Sequence, residues 1–227
     1  MKVSIHQPQY MPWLPYFIKI DRSDLFIFLD NVDFQKNGLQ NRNKIKTDKG
    51  DIWLTVPVKQ KLGQKIKDTQ IANQTNWQRK HWQTILQFYR NAKYFNEYAY
   101  QFEEYYHNYF ENLGELNILI TKLMMRCLDI NTPTIRSSQM KSKGVASDLV
   151  LNLCRESEAT SYISGNGGKN YLDLEQFSKY KIDVNFDKPN LTDFYTQLYP
   201  EVGFVPHLSA IDVIFNCGKL WKNEFGI

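Results

Sequence analysis

Five consecutive apolar residues, Leu25-Phe26-Ile27-Phe28-Leu29, most narrowly limit what this chain can fold into. A half-buried strand alternates and an amphipathic helix repeats every three to four residues. A short unbroken apolar run instead describes a strand buried on both faces. Such strands belong to parallel sheets covered by helices on each side, and parallel neighbours need long crossover connections. A second apolar-rich run, Lys2 to Ile5, precedes it. Between the two, Trp13, Tyr16, Phe17 and Ile20 recur at helical spacing behind Pro12 and Pro15. The opening therefore reads as strand, loop, helix, strand.

Further along, Ile52 to Val58 alternates and is rich in β-branched residues, which predicts one arm of a hairpin with Lys65 to Ile71 as the returning arm. Trp77 to Tyr89, Tyr94 to Phe110 and Leu116 to Leu128 carry apolar residues at helical period, with Gly114 between the second and third. Their aromatic density fits core packing better than base stacking. Strand and helix patterns then alternate again: Thr134-Ile135-Arg136, a helix around Val150, Leu151 and Cys154 capped by Ser142 or Ser147, a strand over 161–164, a strand over 182–186 and a last helix over 208–215. The expected fold is α/β and Rossmann-like: one domain over residues 1–227, with a mostly parallel sheet, a β-hairpin excursion and a helical insertion at about 74–131.

Composition excludes several classes. In 227 residues, 42% hydrophobic side chains suffice for a sizeable core, and no apolar run approaches the ~20 residues of a membrane span. The start, MKVSIHQPQYMPW, has no export-signal pattern, so a cytoplasmic location is expected. Cys127, Cys154 and Cys217 are widely spaced and show no disulfide or zinc pattern, and no metal site is expected.

The net charge of +4 hides an asymmetry. From Lys36 to Lys67 there are nine basic and two acidic residues, a net of +7, which leaves 19 basic against 22 acidic elsewhere. Such a segment focuses positive potential where phosphate or carboxylate could be held, or it is a solvated Lys-rich hairpin. At its head, Lys36, Asn41, Arg42 and Lys44 combine a planar guanidinium fork with directional amides, a set suited to anion recognition; a loop tip held by its Asn side chains is the competing account.

Four other groups could carry chemistry. His6, Gln7 and Tyr10 follow the first strand, at the sheet edge where α/β folds place ligands, and His6 could act as acid, base or cation. Asp30 follows the second strand at the same edge and could serve as a base, or with Asp33 hold a hard cation. Gly165, Gly167 and Gly168 precede Lys169 in a strand-to-helix turn that fits neither a Walker loop nor a dinucleotide fingerprint. Near the end, Ser209 and Asp212 suit a helix N-terminus as cap and dipole partner, while His207 remains available.

Six motifs in order from Val3 to Gly218, HQPQYMPWLPYF, FIFLDNVDF, KNGLQNRNKIK, WLTVPVK, YISGNGGKNYL and PHLSAIDVIFNCG, together resemble the WbqC-like family. The matching positions are Gln7, Pro8, Pro12, Tyr16 and Phe17, then Asp30 and Val32, then Asn41, Arg42 and Asn43, then Lys59, Gly167, Gly168, Ser209 and Asp212. Pro15 stands where the pattern has glycine, and Asn31 and Asp33 depart from an Asp/Gln pattern. The resemblance implies a bacterial protein with relatives among surface polysaccharide and O-antigen biosynthesis genes, and a glycine transferase role suggested for some.

The resulting expectation is a transferase that moves an acyl or aminoacyl group, glycine being the suggested case, to the amine of a nucleotide-linked amino sugar. Arg42, Lys44 and Lys59 would hold phosphates or an acyl carboxylate, the glycine turn would cradle the other end, and His6 or Asp30 would accept the proton. The donor could be an activated amino acid, a carrier thioester or a charged tRNA, and the sequence specifies no cofactor. Two alternatives stand beside it. One is adenylyl or nucleotidyl transfer using His6 and the loop Met140 to Gly144; the other is a non-catalytic module binding a nucleotide sugar or nucleic acid.

Overall fold

The structure is a computed structural model that describes residues 1–59, 61–187 and 195–225. In chain order its elements are β1 (Lys2–His6), α1 (Leu14–Asp21), β2 (Leu25–Phe28), β3 (Arg42–Thr47), β4 (Gly50–Thr55), α2 (Trp77–Tyr89), α3 (Phe95–His107), α4 (Leu113–Cys127), β5 (Thr134–Arg136), α5 (Ala146–Glu156), β6 (Ser161–Gly165), α6 (Leu174–Lys179), β7 (Asp183–Asp187), α7 (Ile211–Cys217) and α8 (Trp221–Phe225). They divide between two compact units. The first comprises Met1–Gln7, Pro15–Val32 and the described part of Asn131–Asn190; the second comprises Pro8–Leu14 and the described parts of Asp33–Ile130 and Leu191–Ile227.

The first unit holds a five-stranded sheet in the order β5-β2-β1-β6-β7. Every neighbouring pair in it is parallel. Phe26, Ile27 and Phe28 are fully buried, as the unbroken apolar run requires. On one face, Val3, Ile5, Ile27 and Tyr162 pack with Leu149, Leu153 and Cys154 of α5 and Phe177 of α6. On the other, Tyr16 of α1 meets Phe26 edge-on at 5.4 Å, and the Ser4 and Ser23 hydroxyls pair at 2.7 Å. Each such apolar side chain contributes about 1.5–3 kcal/mol of burial. Because β2 and β5 extend from β1 to one side and β6 and β7 to the other, the winding reverses between β1 and β6. In open parallel sheets that reversal leaves a crevice at the carboxyl ends of the two strands.

The second unit joins the antiparallel pair β3–β4 to helices. The hairpin differs from the sequence expectation, since β4 pairs with β3, from Arg42↔Thr55 to Thr47↔Gly50, and not with Lys65 to Ile71. Alternating Arg42, Lys44 and Lys46 dilute the apolar signal of β3, while its turn is fixed by the Thr47 hydroxyl bonding at Gly50 and Lys49. Lys65 to Ile71 instead forms a short 3₁₀ turn, Ile66–Asp68, and keeps one bridge to the expected arm, Val58↔Ile71, while Lys65 and Gln70 bridge to Asp33 and Asn112. The aromatic stripe of α3 is core: Phe95 and Phe102 lie 4.9 and 5.4 Å from Phe215 of α7. Tyr109, expected on that stripe, falls after the helix and is 75% exposed. Gly114 is no separator; it sits in the first turn of α4, where Asn112 caps the Glu115 N–H.

All three cysteines are buried, and desolvation lifts each thiol to about 12, which makes them poor nucleophiles. Among the described residues no helix is long and apolar enough to cross a membrane.

A buried polar chain crosses the second unit: the Tyr10 hydroxyl lies 2.8 Å from His81 Nδ1 and 2.6 Å from the Tyr106 hydroxyl. Burial depresses the His81 pKa from 6.5 to about 4, against a raising bond to the Thr55 backbone. The neutral imidazole therefore favours the fold fully above pH 6.5, and that advantage is lost as pH falls through about 4. The difference is worth about 3 kcal/mol. A His81→Gln variant is expected to be less stable at neutral pH, yet its melting temperature should fall less than the wild type's between about pH 7 and pH 4, as scanning calorimetry would record.

Candidate functional site

A cleft of about 230 Å³ opens in the first unit at the carboxyl ends of β1 and β6. His6, Gln7, Lys19, Ser164, Gly165, Gly167 and Gly168 are among its lining residues, with Tyr162 and Tyr171. Five residues singled out from sequence are thus brought together: His6 and Gln7 from the end of one strand, Gly165, Gly167 and Gly168 from the end of its neighbour.

The His6 side chain is fixed. Its Nδ1 lies 3.1 Å from the Gln7 carbonyl, its ring packs edge-on against Tyr16 at 4.8 Å, and the Tyr16 hydroxyl donates to the same carbonyl. Since a carbonyl can only accept, Nδ1 carries the proton and Nε2 the lone pair. Burial lowers the His6 pKa to about 3, nearby Lys19 lowers it further and the Gln7 bond opposes both, so the ring is neutral at physiological pH.

Lys19 is the residue that sequence reasoning missed. It is only 4% exposed, and its Nζ donates to the Ile5 carbonyl at 3.1 Å. Desolvation pulls its pKa down to about 7, partly offset by Asp187. The available signal was a lone charge inside the apolar stretch Tyr16-Phe17-Ile18-Lys19-Ile20.

Asp30 is buried but does not line this cleft. Its carboxylate accepts from the Ser138 N–H at 2.9 Å, the Ser138 hydroxyl at 2.7 Å and the Ser137 hydroxyl at 3.0 Å. These bonds tie the end of β2 to the turn after β5. The Met140 to Gly144 loop is likewise engaged: the Glu156 carboxylate accepts from both the Lys141 and Ser142 backbone N–H groups and from the Ser142 hydroxyl.

The other sequence-predicted residues belong to the second unit. Four are buried and held by internal bonds. Tyr10 is in the His81 chain, Asn41 donates to the Val56 carbonyl at 3.0 Å, Ser209 accepts from the Ile211 N–H at 3.3 Å, and Asp212 accepts from the Tyr89 and Tyr195 hydroxyls at 2.7 and 2.6 Å. Asp212 is therefore a buried anchor in the first turn of α7; burial raises its pKa and the two tyrosines oppose that rise. Lys36, Lys59 and His207 are exposed. Arg42 and Lys44 both lie against the ring of Trp53, at 4.4 and 5.1 Å, and Lys44 pairs with Asp51 at 2.8 Å. Among the described residues no three His, Cys, Asp or Glu side chains gather as a metal site would require.

Comparison with known proteins follows the same residues. The model of the WbqC-like protein family matches residues 7–223, nearly the whole chain. The chain belongs to the WbqC-like family. Over 221 residues, 96% of this chain and 94% of the relative, it is 35% identical to the uncharacterised protein Rv1507c of Mycobacterium tuberculosis. No solved structure matches. The family match thus takes in both units and every cleft residue except Ile5 and His6.

The glycines of this WbqC-like chain are not equivalent. A Cβ at Gly168 would overlap Ser164 Oγ and lie 2.9 Å from Leu172 Cδ1, whereas one at Gly167 would meet nothing within 4 Å. Gly168→Ala is expected to destabilise the fold by about 1–3 kcal/mol, because Ser164 is buried and must move, while Gly167→Ala should change stability by less than about 0.5 kcal/mol. Chemical denaturation of the two variants side by side checks the contrast.

Proposed function

We propose that this protein is a transferase that forms an amide between an acyl or aminoacyl group, glycine being the case suggested by the family resemblance, and the amine of a nucleotide-linked amino sugar used for a bacterial surface polysaccharide such as O-antigen. The reaction would take place in the cytoplasm. The observation that carries this reading is the oriented, neutral His6, which lines a cleft together with a glycine turn.

The chemistry suits that group. When the amine attacks the acyl carbonyl, a C–N bond forms and the bond from carbonyl carbon to the donor oxygen or sulfur breaks. The amine must lose a proton and the leaving group must gain one, and a neutral imidazole can take the first and supply the second. Because burial disfavours its imidazolium, His6 is a weak base in the empty cleft; it would take the proton only as the amine nitrogen becomes acidic in forming the C–N bond, and would pass it directly to the leaving group. The Gln7 carbonyl and Tyr16 keep the ring in the required tautomer and orientation.

A direct assay incubates the protein with nucleotide-linked amino sugars and thioester, adenylate or tRNA-linked donors, and reads the amide product by mass. Turnover is expected, and His6→Ala should reduce kcat by roughly 10²–10⁴-fold without losing the fold. Absence of amide with every donor, in a protein that binds a nucleotide sugar, would sink the transferase reading and leave a binding module.

A further inference from the structure

We propose that Lys19 is the anchor of an oxyanion subsite, so that the cleft at the ends of β1 and β6 takes a phosphate or carboxylate group carried by the substrate. This rests on the reading of that cleft as the substrate site and adds to it the chemistry of the group that fills it.

Three observations converge. Lys19 is almost wholly removed from solvent, and its one hydrogen bond among the described residues, to the Ile5 carbonyl, leaves two of the three ammonium donors unused there. It forms no ion pair among the described residues; Asp187, the acid that acts on it from a distance, is engaged by Arg22 at 2.6 Å. A buried cation without a counter-charge is costly, and structures normally pair it. Here it lines an open cleft.

The second observation is a pair of glycines that line the same cleft. Gly165 and Gly167 do not have positive φ, and a Cβ at either would meet no atom within 4 Å. Neither backbone conformation nor packing demands glycine there. A side chain at either would enter open space at the lining of the cleft that Lys19 shares. Gly168, by contrast, is explained by its contact with Ser164.

The third is size. At about 230 Å³ the cleft is smaller than sites that enclose a whole drug-sized ligand, ~300–1,000 Å³, so it takes one end of a larger molecule. Among the described residues the other lining side chains are neutral: His6 by burial, with the tyrosines and Ser164 uncharged as well. A single positive group in a neutral, half-enclosed cleft selects a small anionic terminus.

The test is calorimetric titration and thermal shift of the full chain with inorganic phosphate, pyrophosphate, UDP and acetate, repeated on Lys19→Met and Gly167→Ala. The wild type is expected to bind at least one probe. Preference for the phosphate series marks a nucleotide-borne group, and preference for acetate marks the carboxylate of an acyl donor. Lys19→Met, which replaces the buried cation by an apolar chain of similar volume, should keep the fold and weaken binding by roughly tenfold or more. Gly167→Ala should weaken it by crowding alone, and it decides the matter if Lys19→Met does not fold. Binding that is unchanged in Lys19→Met belongs to the basic hairpin and overturns the subsite, as does a wild type that binds none of the probes, or a Gly167→Ala that binds as well as the wild type. Amide formation with no oxyanion binding at Lys19 would remove this inference alone; oxyanion binding with no amide from any donor would remove only the transferase.

Discussion

Parallel pairing of strands that are buried on both faces is the constraint on which the first unit depends. It forces long connections between neighbours and helices on each side, α1 on one face and α5 and α6 on the other. It also fixes where chemistry can sit, because strands sealed by apolar layers offer polar backbone and side chains only at their ends. With β2 and β6 on opposite sides of β1, the connections diverge and leave the carboxyl ends of β1 and β6 uncovered. His6 and Gly165 are the last residues of those two strands.

The same apolar surroundings determine the electrostatics. Around His6 and Lys19 desolvation is the largest influence, and it acts in one direction on both, disfavouring the charged form. For His6 the outcome is a neutral ring with one nitrogen fixed as donor. For Lys19 it is a lowered pKa in weakly screening surroundings, where an anion beside the ammonium would favour its charged form and attract it more strongly than at a solvated surface lysine. The second unit resolves buried polarity differently: Tyr10, His81 and Tyr106 satisfy one another, and Tyr89 and Tyr195 enclose Asp212, which gives these groups positions in the fold and leaves them little freedom for chemistry.

Much of the fold was legible in the residues. The apolar run Leu25 to Leu29, the alternation of strands with helices after Pro133 and the helical period of the aromatic block each state a local burial pattern, and the parallel sheet and the helices follow from them. The hairpin was misread because register depends on both partners, and β3, with basic residues at alternate positions, does not announce itself as a strand. In the candidate site, His6, Gln7 and the glycine turn were recognisable because they adjoin predicted strand ends. Asp30 also adjoins one, yet its carboxylate is taken by Ser137 and Ser138, more than a hundred residues away in sequence and adjacent only because β5 pairs with β2.

The sequence by itself determined the class of fold, the carboxyl edge of the sheet as a polar rim, the basic character of residues 36–67 and membership of a family, since periodicity, composition and ordered motifs are properties of the chain read in one dimension. Tertiary structure alone decided which polar groups are spent and which are left over. Hydrogen bonding and desolvation are set by whatever the fold brings within a few ångströms, and that neighbourhood turns Asp30 and Asp212 into anchors and an unremarked lysine into a buried cation of the cleft.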